Sequence, residues 1–131
     1  MKITNIVLKV LLSLLLVMPI LGTLGVFPPP TPDMYNTKEA FAFIDILMTS
    51  KYITVIQSIV FLLALVCLWT SRVALSALLL LPISINIVGF HMFLDGGLFT
   101  FGALMGNVFF LLNLYFLYKS KDQLKFLIQK A

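Results

Sequence analysis

The sequence has 131 residues, of which 61% are hydrophobic and only 11% are charged. Soluble domains average about 45–50% apolar and about 25% charged residues, so this composition excludes a soluble domain and predicts an all-α integral membrane protein with a single membrane domain, residues 1–131. A net charge of +4 is compatible with nucleic-acid binding, but the charges lie mainly outside the apolar segments, where they indicate membrane orientation and no nucleic-acid partner.

The first apolar segment, residues 6–27, predicts a membrane-spanning helix, because about 20 residues rising 1.5 Å each cross a hydrocarbon core of roughly 30 Å. Pro19 is expected to kink this span, and Gly22 and Gly25 are expected to let a neighbouring helix approach closely. The next stretch, PPPTPDMYN at residues 28–36, contains four prolines and cannot continue the helix. It predicts an extended external loop.

A short amphipathic helix is predicted over residues 37–50. Thr37 is a residue type that commonly caps helices, and the apolar residues that follow it are interrupted by charged ones. The helix is too short to cross a bilayer. We therefore expect it to lie at or dip into the membrane surface, completing an external connection over residues 28–51.

Three further spans are predicted at residues 52–70, 73–93 and 98–118, followed by a basic amphipathic tail at 119–131. Ser71-Arg72 and the Asp95-Gly96-Gly97 sequence allow only tight turns, so neighbouring spans should run antiparallel. The expected architecture is a four-transmembrane-helix bundle with an amphipathic interfacial helix between helices 1 and 2.

The charges at the ends of these spans predict the orientation in the membrane. One side carries seven basic residues against one acidic residue, and the other carries two basic against four acidic residues. Because Lys and Arg remain on the cytoplasmic side, both termini are expected in the cytoplasm. The inner set is Lys2, Lys9, Arg72, Lys119, Lys121, Lys125, Lys130 and Asp122, and the outer set is Lys38, Lys51, Asp33, Glu39, Asp45 and Asp95.

Two carboxamides are predicted near the bilayer centre, Asn86 in the third span and Asn107 in the fourth. At equal depth they can hydrogen-bond to each other and fix the register of the two helices; the alternative is that Asn86 lines a ligand site. The small residues Gly102 and Gly106 form a GxxxG pattern, which predicts close helix packing either within the chain or with another chain.

The only histidine, His91, is predicted in the outer half of the membrane, four residues before Asp95, so that both can share one helix face. Gln57 lies at a depth between Asn86 and His91. Together with nearby phenylalanines these residues predict an outward-facing pocket suited to a flat amphipathic ligand such as a quinone headgroup. The alternative is a water-exposed histidine with no function. No metal site is predicted, because one histidine and one distant cysteine cannot build a closed zinc site.

The third-span stretch PISINIVGFH, followed by a short glycine turn, an Asn-containing fourth span and a basic tail, resembles the DoxX-like family of small four-helix bacterial membrane proteins. The resemblance implies a multi-pass protein of the bacterial inner membrane that acts as a subunit rather than as a self-contained enzyme. Founding members of that family look like parts of a thiosulfate:quinone oxidoreductase.

These observations favour an inner-membrane accessory or anchor subunit of a larger membrane complex, not catalytic alone, whose partners are the lipid bilayer and other membrane subunits. One alternative is a quinone-interacting component of a membrane oxidoreductase that uses Asn86, His91 and Gln57 as headgroup ligands. Another is a binder of a lipid-like small molecule. Among cofactors, these residues favour a quinone, since nothing in the chain could hold a flavin and a haem held by His91 and a methionine has no support in the sequence.

Overall fold

The computed structural model describes residues 2–129, and this part of the chain is helical without strands. Its elements are α1 (Lys2–Thr23), a 3-10 turn (Pro32–Met34), α2 (Lys38–Ser50), α3 (Tyr52–Trp69), α4 (Val73–Phe93), α5 (Ala103–Lys119) and α6 (Lys121–Ile128). The predicted tail is thus helical over α6, and its last two residues, 130 and 131, lie outside the described part.

Three helices, α1, α3 and α4, are long and apolar enough to cross a membrane. The fourth apolar helix, α5, has 17 residues, because the chain from 98 to 102 forms a turn in place of the first part of the predicted span. Thr100 Oγ1 accepts a hydrogen bond from Ala103 N at 3.2 Å and so helps to start α5. The all-α class and a multi-pass membrane protein are confirmed, whereas the fourth helix is shorter than predicted.

The four apolar helices pack in a ring, in which α4 lies against α3 and α5 while α1 lies against the same two helices. Large side chains from all four helices fill the centre, and the Phe61 and Phe109 rings meet edge to face at 6.0 Å. In a membrane, such packing between apolar helices acts mainly through van der Waals contact. The most buried core residues are Leu12, Leu16, Phe61, Leu68, Leu80 and Phe116.

Polar contacts hold the end of the bundle at which α1 begins. Lys9 Nζ donates to Leu68 O at 2.9 Å, satisfying a carbonyl in the last turn of α3. Tyr115 Oη and Lys119 Nζ both donate to Asn5 Oδ1, at 3.0 and 3.1 Å. These contacts tie α1 to α3 and to α5, so basic side chains here also serve the packing of the bundle.

Gly25 ends α1 rather than contacting another helix. Its φ is +80°, and Val26 N donates to Leu21 O at 3.0 Å, which is the bond pattern of a left-handed helix cap. A Cβ at Gly25 would meet nothing within 4 Å, and one at Gly22 would meet only Phe27 of the following loop, at 3.9 Å. The predicted close approach of a neighbouring helix at these glycines is therefore wrong.

The other small-residue pair, Gly102 and Gly106, lies against α4. A Cβ at Gly106 would fall 2.7 Å from Ile87 Cγ2, and one at Gly102 would fall 3.5 Å from Asp95 Oδ2. The contact at Gly102 would be an ordinary van der Waals distance, so it is the missing side chain of Gly106 that lets α5 approach α4 so closely.

We expect Gly106→Ala to destabilise the fold by about 1–3 kcal/mol, because the new methyl group would lie 2.7 Å from Ile87 Cγ2 and a β-branched side chain has few alternative rotamers in a helix. Gly89→Ala is the matched control, since Gly89 also lies within a helix but has open space around its Cα. SDS titration of the detergent-purified proteins, followed by circular dichroism, would measure both. Equal stability of the two variants would contradict the close contact.

Candidate functional site

The buried carboxylate of Asp95 lies at the end of the bundle where α4 ends. Asp95 is 1% exposed and follows Leu94, the C-cap of α4. Its Oδ2 accepts a hydrogen bond from His91 Nδ1 at 2.9 Å, and its Oδ1 accepts one from Asn36 N at 2.8 Å. The helix α4 ends at Phe93, so Asp95 does not share a helix face with His91, but the two side chains still meet. The second partner of Asp95 comes from the loop after the prolines.

Asn36 and Thr37 fasten this loop to the turn between α4 and α5. Asn36 Nδ2 donates to Asp95 O at 3.1 Å, and Thr37 Oγ1 donates to Leu94 O. A Cβ at Gly96 would come within 3.2 Å of Asn36 Cβ, and Gly96 also has a φ of +84°, so glycine is favoured there both by its backbone angles and by its lack of a side chain. Asn36 was missed in the sequence, because a polar residue beside a helix cap carries no sign of a partner 59 residues away.

The hydrogen bond to Asp95 fixes the orientation and tautomer of the His91 ring. With Nδ1–H donating to the carboxylate, neutral imidazole carries its lone pair on Nε2. Nε2 makes no hydrogen bond to any other described residue, although His91 lines a cavity. Nε2 lies beside Gly106 of α5 and keeps the capacity to accept a hydrogen bond when the ring is neutral.

A cavity of about 390 Å³ collects most of the predicted site residues. Four of the five predicted ligand-binding residues line it, and Tyr35 of the external loop joins them. Burial, followed by the nearby Asp95 carboxylate, raises the pKa of Tyr35, so its phenol stays a hydrogen-bond donor at neutral pH. The polar lining is Tyr35, Gln57, Asn86, His91 and Asp95.

The fifth predicted residue, Asn107, lies elsewhere: its Nδ2 donates to Leu98 O at 2.7 Å. The predicted amide pair between Asn86 and Asn107 is therefore wrong. The prediction that Asn86 and Asn107 lie at a similar depth agrees with the structure, because their neighbours Ile87 and Gly106 are in direct contact. Ile87 faces α5, however, and Asn86, one residue earlier and about 100° around the helix, faces the groove between α2, α3 and α4.

The polar contact that does join α4 to α5 was missed in the sequence. Asn113 is fully buried within 3.2 Å of Ser84 Oγ. In the amide orientation that satisfies both of its atoms, Oδ1 accepts from Ser84 Oγ and Nδ2 donates to Ala77 O, each at 3.2 Å. Ala77, Ser84, Ile87 and His91 recur at three- to four-residue multiples and so form the α5-facing stripe of α4.

A second, apolar cavity of about 600 Å³ adjoins the polar one in the same groove. Its walls include Ile56, Val60, Leu79 and Ile83 of α3 and α4. Both cavities share the same boundary residues, which are Phe43, Leu47, Gln57, Asn86 and Ile87. The arrangement provides a polar end and an apolar end for one elongated molecule, with volumes in the usual range of ligand sites.

Within residues 2–129, no group of three or more His, Cys, Asp or Glu side chains is placed to hold a metal ion. Gln57 and Asn86 make no side-chain hydrogen bond to any other described residue. These free amides allow the groove to recognise a ligand by hydrogen bonding. The groove also presents aromatic surface: the Phe43 and Phe90 rings stack with their centroids 5.8 Å apart and an interplanar angle of 28°.

No family model, curated protein or solved structure matches this chain. The resemblance to the DoxX-like family stays a prediction, and the function has to be argued from the groove itself.

We expect Asp95→Ala to destabilise the protein by about 1–3 kcal/mol, because the Asn36 amide and the His91 ring would both lose a buried acceptor. Asp95→Asn should be milder, since its oxygen can still accept one of the two hydrogen bonds. SDS titration would rank the variants. Asp122→Ala is the control: Asp122 pairs with Lys125 at 3.2 Å on an exposed surface, where ion pairs contribute little. An Asp95→Ala variant as stable as Asp122→Ala would contradict this structural role.

Proposed function

We propose that this protein is a four-span membrane protein that binds an amphipathic, lipid-like molecule with a flat hydrogen-bonding head, and that an isoprenoid quinone is the ligand class that suits the groove best. The observation that carries the proposal is the junction of a polar and an apolar cavity in one groove between α2, α3 and α4. The polar part accommodates the head, and the apolar part accommodates the chain.

The polar cavity offers the hydrogen-bonding groups that a quinone or quinol head needs. The carboxamides of Gln57 and Asn86 can donate to carbonyl oxygens. His91 Nε2 can accept from a quinol hydroxyl, with Asp95 holding the ring in place. Phe43 and Phe90, which stack on each other, both line the polar cavity and supply aromatic surface near the head.

The location of the unsatisfied polar groups supports a ligand rather than a purely structural role. Polar groups at membrane depth cost free energy unless they are paired. Asn86 is exposed on the outside of the bundle, where the apolar cavity begins. A bound head would supply the partner that residues 2–129 do not.

An accessory role in a larger complex is a second proposal, and α6 is the feature that favours it. Phe126, Leu127 and Ile128 are 79%, 70% and 82% exposed, and Lys121 and Lys125 lie on the same short helix. Such a basic, apolar segment is suited to the anionic surface of a membrane or to a partner subunit. A ligand-binding subunit anchored in this way would contribute its groove to the complex.

The proposed orientation places both termini in the cytoplasm, within a bacterial inner membrane. The basic side chains of Lys9 and Lys119 bond at the same end of the bundle, whereas Asp95 and the proline loop meet at the other. This separation of charge agrees with Lys and Arg remaining inside.

A ubiquinone with two isoprenoid units should bind the full-length protein in detergent, as measured by equilibrium dialysis of radiolabelled ligand. We expect Gln57→Ala and Asn86→Ala each to weaken binding about tenfold, the effect of one lost hydrogen bond of about 1.4 kcal/mol. Asn107→Ala is the matched control, because it removes an amide that does not line the groove. Wild-type protein that fails to bind, or equal losses in all three variants, would argue against the proposed site.

Alkaline phosphatase, which is active only outside the cytoplasm, should be inactive when fused after Ala131 and active when inserted in the proline loop at Pro30. Total fusion protein would be quantified by immunoblot as the control for expression. Activity of the carboxyl-terminal fusion would overturn the proposed orientation.

A further inference from the structure

The helix α2 covers the groove without being built into the core. Ala40 is its only buried residue, and its inward side chains Phe43, Ile44 and Leu47 line the polar cavity. Among the described elements, α2 packs chiefly on α3 and on the 3-10 turn. The helix α2 therefore covers the cavities and is not part of the packed core of the bundle.

The beginning of α2 is held by a specific polar contact. Thr37 Oγ1 accepts from Ala40 N at 3.1 Å, which caps the first turn of α2, while the same hydroxyl donates to Leu94 O. The preceding residue, Asn36, bonds to the Asp95 carboxylate and to the Asp95 carbonyl. Because the cap of α2 is itself part of the contact, breaking the contact frees the beginning of the helix.

The other end is a one-residue joint. Lys51 alone separates α2 from α3 and has a φ of +60°. A left-handed conformation at a non-glycine residue costs roughly 1–2 kcal/mol, so this joint stays strained while α2 remains folded back over α3. A change in the backbone angles of this one residue would swing α2 as a unit.

We propose that α2 is a lid on the ligand groove, hinged at Lys51 and latched by Asp95, and that the latch must open for an amphipathic molecule to reach His91. The proposal rests on the proposed ligand-binding function and adds a way in which access of the ligand to the groove is regulated. Phe43 is the closing side chain: it belongs to α2, lines both cavities and stacks on Phe90. Moving α2 withdraws Phe43 and joins the two cavities.

Asp95 couples the lid to the ligand. One carboxylate oxygen accepts a hydrogen bond from the cavity-lining His91 ring, and the other accepts one from the backbone N–H of Asn36 in the latch. A head that pulls on His91 therefore acts on the same carboxylate that keeps the lid closed. This shared group is the physical link between occupancy of the groove and the position of α2.

A reversible disulfide tests the lid directly. The Cβ position at Gly96 lies 3.2 Å from Asn36 Cβ, close to the separation of about 3.5–4.5 Å found in disulfides. Asn36→Cys and Gly96→Cys would be combined in full-length protein carrying Cys67→Ala, which removes the native thiol. Radiolabelled ubiquinone with two isoprenoid units is the probe, and bound ligand is counted after gel filtration.

The order of locking and loading distinguishes a lid from a distorted site. Oxidation before loading should lower bound ligand at least tenfold, whereas oxidation after loading should slow ligand release at least tenfold. Reduction, followed by removal of the reductant, should reverse both effects. A disulfide that merely damages the groove would lower binding in both orders, and one with no effect in either order would overturn the lid. The two single-cysteine variants serve as controls.

A ligand-free measurement separates failure of the lid from failure of the proposed function. Cys67→Ala protein with Gln57→Cys carries one thiol in the covered cavity, and a small water-soluble methanethiosulfonate would label it. Opening the latch with Asp95→Ala, which removes the oxygen that accepts from the backbone N–H of Asn36, should raise that labelling rate at least tenfold, while a Thr70→Cys control at the opposite end of α3 should be unchanged. An unchanged rate at position 57 would overturn the lid even if quinone binds. A raised rate in a protein that binds no quinone would support the lid and reject the ligand class.

Discussion

The hydrogen bonds of the Asp95 carboxylate are the constraint on which the outer end of this protein depends. A carboxylate buried at this position is tolerable only when its oxygens are satisfied. Two distant parts of the chain meet that need, His91 from α4 and Asn36 from the loop after the prolines. The glycine turn, the path of the loop and the orientation of the imidazole all follow from it.

The two ends of the bundle are stabilised in different ways. At the end where α1 begins, helices contact one another directly, and side chains such as Lys9 bond to the backbone of the neighbouring helix. At the opposite end, α2 lies beside cavities that α3 and α4 also line. The cavities of the groove therefore lie at the end of the bundle that has fewer direct helix contacts.

The sequence was sufficient for properties that depend on length and local pattern. The bounds of α4 match the predicted third span, and Thr37 caps α2 as expected, because apolar run length and capping chemistry are local. The rotation of one helix about its axis relative to the neighbouring helix is not determined by local sequence. Asn86 and Asn107 were placed at matching depth, yet Asn86 points about 100° away from α5 and Asn113 takes the contact instead. The latch at Asn36 likewise depends on a long-range encounter that no periodicity encodes.

The direction in which Asn86 points is itself informative about function. Had Asn86 faced α5, its amide would have been satisfied inside the bundle and its presence explained by packing. It lies instead on the groove side of α4, with Gln57 facing it from α3, and neither side chain bonds to another described residue. Leucine at both positions would avoid the cost of placing amides at membrane depth. The two amides are therefore best explained by a bound molecule that provides the missing hydrogen bonds. The adjoining apolar cavity indicates that this molecule also has a hydrocarbon part.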